Sequence, residues 1–147
     1  TYPAMSRLFL LFLLVAGSTA AQAQSTIVAR MTNLRNNKGV CRVCLFDRAE
    51  AFKGTEGAPL QCREVPVLQG RAEAVFSNLP AGSYALFAFH DANANGKFDT
   101  NFLGIPKEGY GASRNNLPFA AAPGFESNKV QLPVRSVLQL TMRFRNL

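Results

Sequence analysis

One segment of the chain carries oxygen-bearing side chains at the spacing of a calcium-binding loop. In such loops, oxygens at alternate positions surround a hard cation, a glycine at position 6 permits a sharp turn, and position 7 supplies only its backbone carbonyl. The segment therefore predicts a structural calcium site. Its residues match positions 1, 3, 5, 6, 7 and 9 of the loop: Asp91, Asn93, Asn95, Gly96, Lys97 and Asp99.

The segment differs from an EF-hand at its last position. Phe102 occupies position 12, where an EF-hand has a bidentate Glu, and the flanking residues have strand and loop patterns rather than helical ones. Glu108 or the amide oxygen of Asn101 could complete the metal shell from further along the loop. A second interpretation needs no metal, because Asp and Asn side chains can accept hydrogen bonds from the backbone of their own turns. No other cofactor is indicated.

His90, the single histidine, suggests a small secreted hydrolase that would use His90, Asp91 and Glu108. Neighbours in a strand point to opposite faces, so His90 and Asp91 do not form a catalytic pair by adjacency alone. Ser113 also lacks the G-x-S-x-G setting of a nucleophile. We therefore expect a non-catalytic module without catalytic residues, and the hydrolase is the alternative.

The same stretch offers side chains suited to recognition. Asn115 and Asn116 supply adaptable amides, and Tyr110 supplies a rigid aromatic ring that, with Ser113 and Phe119, could form an exposed loop surface. Such a surface suits an unidentified protein or carbohydrate of the cell envelope. The alternative for Tyr110 is that its ring packs beneath its own loop.

The elements that position these residues are predicted to be strands. Alternating apolar and polar residues recur between Gly-, Pro- and Asn-rich turns, and helical periodicity is nearly absent apart from a turn at 49–52. This pattern predicts an all-β fold: an antiparallel sandwich of about seven strands with one long loop of about 27 residues. The predicted strands are 26–33, 40–46, 63–68, 72–76, 83–90, 129–132 and 137–145.

Strand parity selects one disulfide from the three cysteines. Within 40–46, Cys41 shares the apolar face, whereas Cys44 lies on the outer face, where the following segment with Cys62 could reach it. A Cys44–Cys62 bridge would close a loop of about 19 residues and contribute roughly 3 kcal/mol. Cys41 would then be a small buried hydrophobe. A zinc site is the alternative for the C-x-x-C spacing, but a second ligand pair is absent.

The N-terminal segment has the pattern of a secretory signal peptide. Nine apolar residues, 8–16, follow Arg7, and Ala21-Gln22-Ala23 suits signal peptidase. The apolar run is far shorter than the roughly 20 residues of a membrane-spanning helix. We expect a signal peptide at 1–23, a single mature domain at 24–147 without a membrane span, and a periplasmic or secreted location.

The charge of the chain is positive but dispersed. It has 16 Lys and Arg against 9 Asp and Glu, a formal net charge of +7. The bases form no run and no stripe interleaved with aromatic residues, so we expect no nucleic-acid binding.

The chain resembles the exported bacterial family known as domain of unknown function 2141. The resemblance covers about residues 26–146, and its most distinctive parts are H-D-x-N-x-N-G-x-x-D-T-N at 90–101 and G-I-P-x-E-G-Y-G at 104–111. The phrase N-L-P-A-G-S-Y at 78–84 is similar to a hairpin of transthyretin-like and carboxypeptidase-regulatory-like sandwiches. The resemblance implies that the predicted sandwich is an exported, antiparallel immunoglobulin-like (transthyretin-like) one with no established activity, and it carries over no catalytic residue. Arg114 stands where many relatives have Asn.

Overall fold

A computed structural model describes residues 24–147, and the predicted signal peptide at 1–23 lies outside the described residues. Within that range the chain forms two sheets and two short helices, with eight strands rather than about seven. The bounds of the elements are β1 Ser25–Thr32, β2 Val40–Phe46, α1 Ala49–Lys53, β3 Gln61–Pro66, β4 Ala72–Leu79, β5 Gly82–Asp91, β6 Tyr110–Ala112, α2 Phe125–Asn128, β7 Val130–Leu132 and β8 Val137–Arg143.

The predicted all-β sandwich is confirmed. One sheet has the order β4-β1-β8, and the other has the order β3-β2-β5-β6, with β7 paired to the beginning of β5. The pairing is antiparallel except between β1 and β8, which run parallel. A parallel pair needs a long crossover, and here nearly the whole domain separates its two strands. The other strand pairs of the described residues are antiparallel, as predicted.

The apolar face of each strand packs into one core between the sheets. Alternation places Ile27 and Met31 of β1 and Val43 of β2 there, all without solvent exposure. Met142 of β8 and the following Phe144 are buried in the same core, as the alternation of the last strand predicts. Burial of these apolar surfaces is the main force that holds the two sheets together.

Strand β5 is buried on both faces. Leu86 and Ala88 face the core between the sheets, whereas Ala85 and Phe87 face a second apolar cluster outside the sheet. That cluster is formed by α1 and α2 together with the outer faces of β2 and β5, and Phe125 of α2 is its most buried ring. A strand that is covered on both faces usually has a nearly continuous apolar sequence, and β5 has such a sequence.

The predicted long loop contains a strand that the sequence pattern does not reveal. β6 is three residues long and pairs with β5, with Tyr110 opposite Phe89 and Ala112 opposite Phe87. At Gly111 a Cβ atom would lie 2.9 Å from the Phe144 ring, so only glycine fits there. β6 thus separates two loop segments, 92–109 and 113–124, and the second of them continues beyond the predicted loop to α2.

The predicted disulfide is present between Cys44 and Cys62, which lie opposite each other in the β2–β3 pairing. Cys41 is buried as a free thiol, and burial raises its pKa to about 12. In residues 24–147 the helices are only one or two turns long, and none of them could cross a membrane.

Candidate functional site

Asp91, the last residue of β5, organises the loop that follows it. Its side chain is buried, and its two oxygens accept hydrogen bonds from the backbone N–H groups of Asn95 (3.0 Å) and Gly96 (2.8 Å). The amide oxygens of Asn93 and Asn95 accept the N–H groups two residues further on, at 3.2 and 2.9 Å. These bonds are the side-chain to backbone pattern of the metal-free interpretation.

The second carboxylate of the loop, Asp99, is surrounded by amide groups. The Asn93 amide nitrogen donates to it at 2.8 Å, and the Asn95 amide nitrogen donates to both of its oxygens at 3.1 and 2.9 Å. These bonds lower the pKa of Asp99. The backbone N–H of Asp99 in turn donates to Glu108 at 3.0 Å. Burial raises the pKa of Glu108, and repulsion from Asp99 and Asp91 raises it further.

The geometry of this loop fits a calcium ion only in part. Asp91 and Asp99 both lie close enough to Glu108 to raise its pKa, but within residues 24–147 no group of three acidic, His or Cys side chains is placed to hold a metal. For an ion to bind, the amides of Asn93 and Asn95 would have to leave Asp99 and turn their oxygens inward. Hydrogen bonds already satisfy the loop, and calcium binding stays a prediction from the sequence.

The three residues of the hydrolase hypothesis do not converge on a common point. His90 is buried, and its Nε2 atom lies 2.7 Å from the backbone oxygen of Lys38. Its ring lies on the core-facing side of β5, whereas Asp91 lies on the opposite side with the loop. Glu108 contacts the backbone of Asp99. The arrangement gives no support to an acid–base mechanism among these residues.

Two of the four residues expected on an exposed loop surface are buried, and that expectation is wrong for them. Tyr110 is 6% exposed because β6 places its ring against Phe98 and Phe87, at centroid distances of 5.7 and 6.2 Å. The alternative, that Tyr110 packs beneath its own loop, describes its position. Ser113 accepts the Leu86 N–H at 3.0 Å and donates to the Asn128 carbonyl at 2.6 Å.

Asn115 and Asn116 are exposed, as expected, but both also have structural bonds. Asn115 pairs with the edge of β8: its amide nitrogen donates to the Thr141 carbonyl at 2.9 Å, and its amide oxygen accepts the Arg143 N–H at 2.6 Å. The Asn116 N–H donates to the buried side chain of Asn128 at 3.1 Å. Segment 113–124 is therefore anchored to the sandwich on both sides.

Between α1, segment 92–109 and segment 113–124 lies an aromatic groove of about 570 Å³. Phe98 forms the centre of its floor, with its ring centroid 5.5 Å from Phe87 and 5.7 Å from Tyr110. Among the described residues that line the groove, only Lys53 has a charged side chain. The lining comprises Phe52, Lys53, Phe87, Phe98, Thr100, Leu103, Gly104, Ile105, Pro106, Tyr110, Phe119, Ala120, Ala121, Ala122, Pro123 and Leu147.

The groove is the part of the site that sequence reasoning missed. Its aromatic residues come from α1, β5, β6 and the loop, and they are far apart along the chain, so no local motif contains them. The signal available was compositional: the chain has 12 Phe and no Trp. Mostly apolar concave sites with a few polar groups are the usual form of ligand pockets, and the volume lies within their usual range of about 300–1,000 Å³.

Comparison with known proteins identifies the family but adds no activity. No curated protein matches the chain, and no solved structure matches it. A family model described as an uncharacterized protein conserved in bacteria, DUF2141, matches residues 29–138. This match confirms the resemblance seen in the motifs at 90–101 and 104–111. Because it covers most of the chain, the protein belongs to the bacterial family of domain of unknown function 2141.

Proposed function

We propose that this protein is an exported, non-catalytic binding module of the cell envelope and that its ligand-binding site is the aromatic groove. The observation that carries the proposal is the floor of Phe98, Phe87 and Tyr110, in which Phe98 packs edge-to-face on the other two rings beneath two loops that hydrogen bonds hold in place. A preformed apolar groove binds a ligand with little loss of conformational entropy in the protein.

The composition of the groove favours an anionic amphiphile, which is a molecule with an apolar body and one negative group. The lining offers few hydrogen-bonding side chains for the hydroxyl groups of a carbohydrate, and its one charged side chain is that of Lys53. An apolar chain would lie on the aromatic floor while its acidic end pairs with Lys53. The alternative ligands are the envelope carbohydrate or protein expected from the sequence.

Displacement of a fluorescent probe tests the proposal. Anilinonaphthalene sulfonate, an anionic aromatic dye, is expected to bind residues 24–147 with enhanced fluorescence. Decanoate should displace the dye at lower concentration than decyltrimethylammonium, a cation with the same chain length. Lys53→Gln should abolish this preference for the anion, whereas Lys38→Gln, an exposed lysine outside the lining, should retain it.

A groove-filling variant provides the second part of the test. Ala121 is exposed and lines the groove, so Ala121→Trp should fill the space and abolish dye binding without lowering the melting temperature. Ala120→Trp serves as an independent version. Unchanged dye binding in both folded variants would contradict the proposal. Displacement of the dye by oligosaccharides but not by decanoate would also contradict it.

A further inference from the structure

Large apolar side chains project into solvent from both loops that border the groove. Phe102 and Phe119 are each 95% exposed, and Leu103 is 69% exposed. Single exposed apolar residues are common on protein surfaces. A group of them on two neighbouring loops has a different meaning, because clustered apolar surface marks a site of interaction with another molecule or a membrane. We call these three residues the apolar tips.

Two of the apolar tips, Phe102 and Leu103, lie in a turn that hydrogen bonds hold in place. The side-chain oxygen of Asn101 accepts the N–H groups of Leu103 and Ile105 at 2.9 and 3.0 Å. The backbone adds two bonds, from Asn101 N–H to the Ile105 carbonyl at 2.8 Å and from Gly104 N–H to the Asn101 carbonyl at 3.0 Å. Gly104 adopts the positive φ of 77° that closes the turn.

This turn presents Phe102 and Leu103 without exposing many unpaired backbone N–H groups. Placing an unpaired polar group in an apolar environment is costly, and irregular backbone therefore rarely enters the apolar region of a bilayer. The hydrogen bonds from Asn101 reduce that cost at this tip. Its aromatic and aliphatic side chains are the kind that peripheral proteins bury at the boundary between lipid headgroups and acyl chains.

The charges beside the tips are predominantly positive. Lys97, Lys107 and Arg114 are exposed on the same two segments, and Lys53 lines the groove between them. Of the two acidic side chains between 92 and 124, Glu108 is buried, and Asp99 is half-buried and accepts hydrogen bonds from the amides of Asn93 and Asn95. Positive side chains next to exposed apolar ones form the combination that binds anionic lipid, since the bases attract the headgroups while the apolar groups enter the interface.

We propose that the apolar tips insert into the surface of an anionic phospholipid bilayer and dock the protein there. The tips project from the surface, and projecting apolar groups need either a deformable surface or a pre-shaped pocket in a partner. The positive charges around them favour the anionic bilayer. Docking in this orientation would bring the mouth of the groove to the lipid, but it does not depend on the groove being occupied.

Vesicle co-sedimentation tests the proposal with residues 24–147, the form left by the predicted cleavage, which contains every described element. Vesicles of phosphatidylcholine with phosphatidylglycerol should bind the protein, and pure phosphatidylcholine vesicles should bind it much less. Raising NaCl from about 0.05 M to about 0.5 M should weaken the binding, because salt screens the attraction of the bases. The double variant Phe102→Ser/Phe119→Ser should lose about tenfold or more in partition coefficient.

A matched double variant controls for the general loss of exposed apolar surface. Leu68 and Val137 are 70% and 65% exposed and lie outside the groove and its loops. Leu68→Ser/Val137→Ser should therefore keep the binding of the unmodified protein. Thermal melting of each variant shows that the fold is retained. The groove-filled Ala121→Trp variant should still bind vesicles, which separates this proposal from that for the groove.

Three results would overturn the proposal. The first is that the unmodified protein binds no vesicles. The second is that the tip and control variants lose binding equally. The third is that the unmodified protein binds no vesicles but self-associates in sedimentation velocity, and that the tip variant does not self-associate. The apolar tips would then form an interface between two copies of the chain rather than a bilayer-binding site.

Discussion

Replacing Asp91 with Ala should destabilise the whole domain and release the loop that follows β5. The carboxylate accepts two backbone N–H groups at 3.0 and 2.8 Å. A hydrogen bond to a charged group contributes roughly 1.5–3 kcal/mol. The lower part of this range applies, because Asn95 and Gly96 are exposed and their N–H groups can bind water in the variant. For the two bonds together we therefore expect a loss of about 3 kcal/mol in the free energy of unfolding.

For a domain of this size, that loss corresponds to a fall of about 6–12 °C in melting temperature. Circular dichroism measures the global effect, and amide hydrogen exchange measures protection at Asn95 and Gly96, which should disappear. Asp99→Ala is the matched control: it removes a carboxylate of the same loop that contacts side-chain amides, so its effect should be smaller. The reasoning would be refuted if Asp91→Ala lowered the melting temperature no more than Asp99→Ala does. It would also be refuted if the amides of Asn95 and Gly96 stayed as protected in Asp91→Ala as in the unmodified protein.

Three further predictions concern other titratable or ligating groups. Because burial and neighbouring carboxylates raise the pKa of Glu108 above its ordinary value of 4.5, its charge opposes folding at neutral pH. Glu108→Gln should therefore raise the melting temperature at neutral pH, and the gain should shrink as the pH falls through the raised pKa towards 4.5; an equal gain at low and neutral pH would argue against this cause. Cys41 should resist alkylation in the folded protein and react once urea unfolds it, as mass spectrometry can show, because the thiol is buried and its pKa is raised to about 12; rapid native labelling would contradict its placement. If the segment 91–108 binds calcium with a dissociation constant of about 0.1 mM, about 1 mM calcium should add about 1.4 kcal/mol to stability. Equal melting temperatures in calcium and in chelator would contradict calcium binding.

Much of the sandwich could be predicted because its information is local. Alternation locates β2 and β5 to within one residue at each end. The same parity places Cys44 on the outer face, opposite Cys62. β6 escaped prediction because three residues are too few to show a period, and its pairing with β5 is what holds it in place. The α2 turn escaped for the same reason, since its helical form depends on the burial of Phe125 and Asn128.

The candidate site also has one part that near neighbours determine and one part that depends on the pairing of distant strands. The sequence alone identifies the Asp- and Asn-rich loop, since an Asx side chain and the N–H groups it binds lie within a few residues of each other. The sequence alone does not decide whether Tyr110 is buried, because its burial depends on the pairing of β6 with β5.

The amino-acid sequence by itself determined the all-β class, the disulfide partners and the position of the polar loop, because alternation and turn chemistry act between near neighbours. Only the tertiary structure decided that Phe52, Phe87, Phe98 and Tyr110 share one groove and that β1 and β8 run parallel. Those arrangements depend on packing between residues far apart in the chain. Hydrophobic burial has no preferred direction along the sequence, so it leaves no periodic trace of which distant partners will meet.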